Sequence, residues 1–438
     1  MIRSADEMSG RSVAIVGGGP IGIEAALEAR RRGFDVTVYE ADRVGGHLLR
    51  FGHVGLFTPF RMNSTEAGRE ALRAAGVLIP GDDDLLTASE LVGRYLSPLA
   101  GLPELRGSIR EGERVTHLGR EGFSKPRGIA STGDRGREGA PFLIRVETPD
   151  RLARLDRADF VIDASGVYAN PNATGPGGLP ALGEDRLGDR IDRWIPAMRG
   201  EAKDRYRDKT ILLIGDGHSA ATFLAEMGAL AREGRTGGIQ VHWVLPERNG
   251  EEFFPAIEDD PLPARRDLAA SANSVVRSAA WITRHPGAIV DSYDDTWGGR
   301  LRVRLRYPAG EERRIEVDRV LALVGYRPDT AIYRELQVHL CYASEGPMSL
   351  AAAVLSAGLK APGQAGDCLS QVAHGPESLR TPEPGFFILG AKSYGRNPAF
   401  LLTIGHRQIM DALSLLGAEQ ALPGRPLSRL RPQGRGVQ

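Results

Sequence analysis

The sequence predicts an α/β fold of two Rossmann-like, three-layer nucleotide-binding domains. Three observations carry that expectation. The stretch VAIVGGGPIGIEAALEARRRGFDVTVYEADRVGG, Val13 to Gly46, runs strand, glycine-rich turn, helix, strand. Much later, TILLIGDGHSAATFLAEM, Thr210 to Met227, repeats the plan. Each copy is followed downstream by an apolar strand that ends in glycine: DFVIDASGVY (Asp159–Tyr168) and VDRVLALVGYRPDT (Val317–Thr330).

In the first copy, VAIV is a continuous apolar run of strand length, as expected of a strand buried on both faces. Gly17-Gly18-Gly19-Pro20-Ile21-Gly22 then fits G-x-G-x-x-G. Gly17 permits the tight turn, Gly19 lets a pyrophosphate approach the backbone, and Gly22 lets the helix pack close to the strand. The helix that follows, residues 21–32, presents free N–H groups and a positive dipole end to the phosphates, with Pro20 and Ile21 at its start. Gly33 stops it, and DVTVYE forms a second strand ending in Glu40, followed by Ala41. An acid at that strand end can accept bonds from both ribose hydroxyls and repels a 2′-phosphate. Gly45, Gly46 and His47 come directly after.

In this order of parts the chain resembles the two-dinucleotide-binding flavoproteins. That group contains the thioredoxin and glutathione reductases and the flavin-containing and N-hydroxylating monooxygenases. There the first turn binds FAD, and a Gly-Gly pair just past the acid also touches it. The resemblance implies an FAD site of Gly17, Gly19, Pro20, Ile21, Gly22, Glu40, Ala41, Gly45, Gly46 and His47. Ser165 and Gly166 of the first closing strand join it, as do Gly390 and Ala391 near the C-terminus. It also implies a split FAD domain, residues 1–195 and 331–438, with an NAD(P)H domain, 196–330, inserted between the halves.

The second copy places Gly215, Gly217 and Ala220 as G-x-G-x-x-A, with His218 and Ser219 between them. Superposing the two copies by strand end puts Leu245 of IQVHWVLPE where Glu40 sits. The acid that excludes a 2′-phosphate is missing, and Arg248, three residues on, could meet that phosphate. NADPH is therefore expected over NADH. Gly325 and Tyr326 of GYRPDT complete the nicotinamide set. Two turns then mean two nucleotides, a held FAD and a nicotinamide that comes, gives hydride and leaves.

Between the copies, TASELVGRYLSPLA has helical spacing, PFLIRVET alternates as a strand, and residues 124–140, rich in Gly and Arg, read as a surface hairpin. After Thr330 the chain is expected to return to the FAD domain. PGFFILGAKSYGRNPAFLLTIGHRQIMDALSLL reads as strand, turn and apolar helix, and the resemblance places that helix's N-terminus at the flavin. Where the family commonly has Gly-Asp, this chain has Gly390-Ala391-Lys392, so backbone N–H groups near Gly390 must serve instead. HLLRFGHVGLFTPFRMN, His47–Asn63, should wrap toward the isoalloxazine. That gives five candidate catalytic residues: His53, Arg61 and Asn63 on one flavin face, Lys392 and Tyr394 on the other. Asn273, in a helix opened by Arg265 and Arg266, is a further candidate contact.

Composition narrows the chemistry. Lys plus Arg and Asp plus Glu are 56 each, so no net field draws nucleic acid or an anionic membrane. No apolar run approaches the ~20 residues of a membrane span, and a cytoplasmic location is expected. The two cysteines, Cys341 and Cys368, make no C-x-x-C, and the nine histidines make no H-x-x-x-H, so neither a disulfide relay nor a metal site is expected. The cofactor must then carry the difficult step. The expected activity is that of an FAD-dependent NAD(P)H oxidoreductase, a single-component monooxygenase passing oxygen from O₂ to a small organic substrate through a flavin hydroperoxide. The alternative is a reductase or dehydrogenase serving a small oxidant or a protein partner. The fingerprint F-x-G-x-x-x-H-x-x-x-(F/W) is absent, which points away from the flavin-containing and Baeyer–Villiger subfamilies. Most members of the group are dimers, so the resemblance implies a homodimer, though no interface is marked in the residues.

Overall fold

The computed structural model describes residues 10–127, 136–247, 252–257, 259–360, 369 and 372–419. The chain divides into two units. One takes Met1–Leu49, Pro59–Asn170 and Arg327–Gln438, and the other takes Arg50–Thr58 and Pro171–Tyr326.

In the first unit the strands are β1 (Ser12–Val16), β2 (Asp35–Glu40), β3 (Ile109–Glu111), β4 (Arg114–Arg120), β5 (Phe142–Glu147), β6 (Ala153–Ala158), β7 (Phe160–Asp163) and the late β16 (Phe386–Ile388). Five of them form a parallel sheet in the order β16-β7-β1-β2-β3. The central β1 is buried at every residue, which is why it reads as an unbroken apolar run rather than an alternating one. Helix α1 (Pro20–Arg31) opens on a proline whose missing N–H costs nothing at a helix start, and Ala25, Ala26 and Ala29 let it lie close to the sheet. Helix α2 (Glu66–Ala74) is capped by Thr65, whose Oγ1 accepts from the Gly68 N–H at 2.8 Å. The last helix, here α5, spans Leu402–Glu419 and packs on α1 where Gly405 meets Ile21.

The expected helix around residues 88–100 forms, with one irregularity. Ala88–Leu91 passes through a π turn, Val92–Leu96, into Ser97–Ala100. Pro98 has no N–H for the Arg94 carbonyl, so regular α hydrogen bonding cannot continue there.

Strands β4, β5 and β6 make a separate antiparallel sheet. In the segment 124–140, expected from its composition to be a surface hairpin, most described residues are exposed and Arg137 is buried. Residues 128–135 lie outside the described residues, but Arg137 is only 2% exposed and donates to Glu383 at 2.7 Å. Arg120 binds the same carboxylate at 2.8 Å. A carboxylate this deep requires cations, and the Gly/Arg-rich segment supplies one of them.

The second unit repeats the plan with β8 (Ile191–Asp192), β9 (Thr210–Ile214), β10 (Gln240–Leu245), β11 (Ile282–Pro286) and β15 (Arg319–Ala322), ordered β11-β10-β9-β15-β8 and parallel throughout. An antiparallel sheet of β12 (Ile289–Asp295), β13 (Leu301–Arg306) and β14 (Glu312–Val317) belongs to the same unit. Its helices α3 (His218–Arg232) and α4 (Pro263–Ser278) cover a core centred on Trp243, Phe223 and Met227. No described helix is long and apolar enough to cross a membrane.

Candidate functional site

The first glycine turn has the geometry its sequence demands. Gly17 sits at φ +106°, and a Cβ there would lie 2.7 Å from the Ala164 carbonyl oxygen. A Cβ at Gly22 would lie 1.9 Å from the Gly17 carbonyl oxygen, so this position in the first turn of α1 admits no side chain. At Gly19 nothing lies within 4 Å of where a Cβ would stand, so an approach to the backbone is open at the start of α1.

Glu40, at the end of β2, is tied into this turn. Its Oε2 accepts from the Gly18 N–H at 2.6 Å and its Oε1 from the Asp42 N–H at 2.8 Å. Burial raises its pKa above the usual carboxylate range, and the two N–H donors oppose that rise. Each oxygen keeps a lone pair for a further donor. Gly45, at φ +69°, donates back to the Gly18 carbonyl at 3.0 Å, with Gly46 buried beside it. Ala41 is half-buried at the same edge, and the His47 ring stands edge-on to Tyr168 at 6.3 Å.

Beyond β7 and β16 the structure differs from expectation. Lys392, expected at an open flavin face, is 1% exposed. Its Nζ lies 2.6 Å from Asp163 Oδ2 and donates to Ser165 Oγ at 3.0 Å. This cation answers an acid, Asp163, which is itself fully buried at the end of β7. Ser165 also donates to Asp163, at 2.6 Å, and Gly166 follows at φ +70°. Gly390, at φ +73°, gives its N–H to Gln408 of α5 at 2.9 Å, and half-buried Ala391 follows. Tyr394 is buried too: its Oη has no partner, and burial pushes its pKa up to about 12.

The expected wall from His47 to Asn63 is divided between the units. His47, Arg61 and Asn63 belong to the first, whereas His53 lies in the Arg50–Thr58 segment of the second. Physical cause is visible in the packing: within the second unit Phe51 stacks on Trp194 and Val54 joins the apolar core. His53 is exposed, and partial desolvation lowers its pKa. Arg61 is half exposed and ion-paired with Asp83, and buried Asn63 donates to the Pro59 carbonyl at 3.3 Å.

In the second turn Gly215 takes φ +118°, and a Cβ there would meet the Leu323 carbonyl oxygen at 2.3 Å. Gly217 is open on its free side, like Gly19, and Ala220 is fully buried where the first turn has Gly22. His218 and Ser219 are exposed at the start of α3, the imidazole 5.4 Å from the Phe57 ring. Gly325 sits at φ +78°, and the Tyr326 hydroxyl donates to the Arg193 carbonyl at 2.5 Å. Leu245 is buried at the end of β10, and Arg248 lies outside the described residues. Asn273 is a structural pin: its Oδ1 accepts from the N–H groups of Phe253 and Phe254 at 3.0 Å each. Arg265 is equally committed, to Asp260 at 2.7 Å.

One further residue escaped the pattern reading. Trp243 donates its indole N–H to the Gly215 carbonyl at 2.8 Å and stacks on Phe254. Its signal was a lone large aromatic amid the aliphatic run of β10.

Residues 15–61 match the NAD(P)-binding Rossmann-like domain family. Across most of the chain the fold matches the bacillithiol disulfide reductase Bdr of Bacillus cereus, at TM-score 0.65 and 17% identity over 93% of this chain and 99% of that one. It also matches the ornithine N-hydroxylase of Kutzneria sp. 744, solved with reduced FAD, NADP+ and L-ornithine, at TM-score 0.58 and 16% identity over 94% and 100% of the two chains. This is the fold of the two-dinucleotide-binding flavoproteins. In this chain the first unit carries the turn followed by Glu40 and the second the turn followed by Leu245. Among curated sequences, a flavin-containing monooxygenase of Aspergillus flavus is 25% identical over 224 residues, 51% of this chain and 52% of that protein. The match thus spans about half the length of this relative.

Proposed function

We propose that this flavoprotein-fold chain is an FAD-dependent NAD(P)H oxidoreductase, acting as a single-component monooxygenase on a small organic molecule. The observation that carries the reading is the pair of glycine turns, alike in backbone, one closed by Glu40 and the other by Leu245. The first turn fits FAD. The open side of Gly19 at the start of α1 suits a pyrophosphate, and Glu40 has lone pairs left for ribose hydroxyls. Gly45, Gly46, Ser165 and Gly390 frame that cradle with backbone. In the second unit, Gly215, Gly217 and the start of α3 would hold the nicotinamide dinucleotide, NADPH in preference to NADH because Leu245 offers no carboxylate.

Bound FAD supplies two-electron chemistry between the nicotinamide and either O₂ or an organic oxidant. The chain's own residues bind, orient and shield. Tyr394 keeps its proton at neutral pH, and the Lys392–Asp163 pair fixes the segment after β16 without offering a free charge. The widely separated cysteines and the likeness to the A. flavus and Kutzneria proteins support oxygenation. The Bdr likeness supports the second reading, a reductase of a small oxidant.

The test is NADPH-driven turnover under ¹⁸O₂ with a panel of primary amines, thioethers and aromatic substrates. Labelled oxygen in an organic product supports the monooxygenase. Electrons recovered wholly as peroxide or in a reduced small oxidant move the assignment to the reductase. Protein that retains no FAD on purification or titration sinks both.

A further inference from the structure

Helices α1, α2 and α5 of the first unit border a cleft of about 600 Å³. Leu27 of α1, Ala67 of α2, Ile409 and Met410 of α5, and Ala373 give it a mainly apolar wall. No residue of either glycine turn lines it.

The charged groups on this wall fall into two classes. The carboxylates are all answered. Glu24, 3% exposed, accepts from the Thr65 N–H at 3.0 Å and hydroxyl at 2.7 Å, and from the Tyr95 hydroxyl. Glu28 is paired with Arg32 at 3.1 Å, and Glu66 with Arg69. The Arg32 guanidinium also donates to Met410 Sδ at 3.6 Å, so a positive group already stands against a residue of the same wall. Arg407 of α5 is different. It lines the cleft and is exposed, and its guanidinium has no hydrogen-bond or ion-pair partner among the described residues. Asp411, one turn further along α5, feels that charge without pairing with it. Ser64, Thr65, Thr403 and His406 complete the polar part of the wall and carry no charge, since burial pushes the His406 pKa down to about 4.

We propose that this cleft binds a small organic anion, its apolar body against Leu27, Ala67 and Met410 and its carboxylate paired with Arg407. The volume is that of a small-molecule site, and an apolar wall with few polar anchors is the usual build of one. A guanidinium takes a carboxylate through two parallel N–H donors, which fixes orientation as well as charge. A cationic ligand would find no free carboxylate here, and an uncharged one would leave Arg407 unused. The site is independent of the redox assignment, and its test needs no turnover.

The probes are 2-naphthoate and its uncharged counterpart 2-naphthamide, titrated by calorimetry into the full chain with excess FAD present. Naphthoate should bind about fivefold tighter than the amide at low salt, the size expected of a solvent-exposed ion pair. Arg407→Gln should erase that difference and leave the unfolding midpoint unchanged, because the side chain is exposed and unpaired. Ala67→Trp should abolish binding of both probes. Met410→Trp is a second blocking variant, at a residue already 44% exposed, where folding is least at risk. Equal binding of the two probes to the unaltered chain, a difference that survives Arg407→Gln, or binding that survives both tryptophan variants overturns the proposal.

Discussion

The turn at Gly17 and the turn at Gly215 share a positive φ and a close approach to a carbonyl of the next strand. Gly17 is at φ +106° and faces the carbonyl just past β7; Gly215 is at φ +118° and faces the carbonyl just past β15. Their supports differ. The first turn is clasped at the end of β2, where Glu40 takes the Gly18 N–H and Gly45 returns a bond to the Gly18 carbonyl. The second is propped by the Trp243 indole at the Gly215 carbonyl, and the apolar Leu245 stands at the end of β10. A similar positive φ thus shapes both turns, while the side chains beside them differ.

The comparison breaks most visibly at the sixth position of the turn. Gly22→Ala drives a methyl to 1.9 Å of the Gly17 carbonyl oxygen, so the start of α1 must move. We expect a loss of about 3 kcal/mol in urea denaturation, together with loss of the visible flavin absorbance. Ala220→Gly, the reciprocal change, should cost only ~1 kcal/mol of helix propensity and leave NADPH binding in place. Flavin retained at full stability by Gly22→Ala would show that the two turns are not separated by this contact.

A smaller effect is expected at Glu40. Glu40→Gln keeps the shape but weakens the acceptor for Gly18, Asp42 and the ribose. FAD affinity should fall about tenfold, ~1.4 kcal/mol, with NADPH affinity unchanged. The pH dependence sharpens the point. Because burial holds the folded-state pKa of Glu40 above its ordinary value, its charge opposes folding at neutral pH, and that cost is relieved as pH falls through the raised value. Protonation also removes the charged acceptor, so FAD release should increase on acidification in the unaltered chain and flatten in Glu40→Gln. Parallel FAD-release profiles for the two proteins would remove Glu40 from the ribose site.

How much of this was legible in the residues depends on what enforces each feature. Gly17, Gly22 and Gly215 could be read directly, because a Cβ there would stand 2.7, 1.9 and 2.3 Å from a backbone carbonyl oxygen, and such demands leave their mark in the sequence itself. The Lys392–Asp163 pair could not, since it joins β7 to the segment after β16 and exists only once those strands become sheet neighbours. The same holds for Arg137, whose composition-rich surroundings look solvated until Glu383 is placed beside it. The Arg50–Thr58 segment carries no periodicity, and its membership of the second unit is set by Phe51 on Trp194 and Val54 on the core.

The finest distinction between the cradles rests on a single indole. Trp243→Phe preserves a ring that can stack on Phe254, 5.5 Å away, and removes only the donor to the Gly215 carbonyl. The carbonyl is left at the surface of a fully buried side chain, so the expected cost is ~1 kcal/mol in thermal or urea unfolding. Because that carbonyl belongs to the glycine whose positive φ shapes the second turn, the KM for NADPH should rise a few-fold while FAD affinity stays constant. A variant that loses stability without any change in the NADPH KM would assign Trp243 to the core alone. An equal weakening of FAD would mean that the two turns are not supported separately, and the contrast drawn from Glu40 and Trp243 would fall with it.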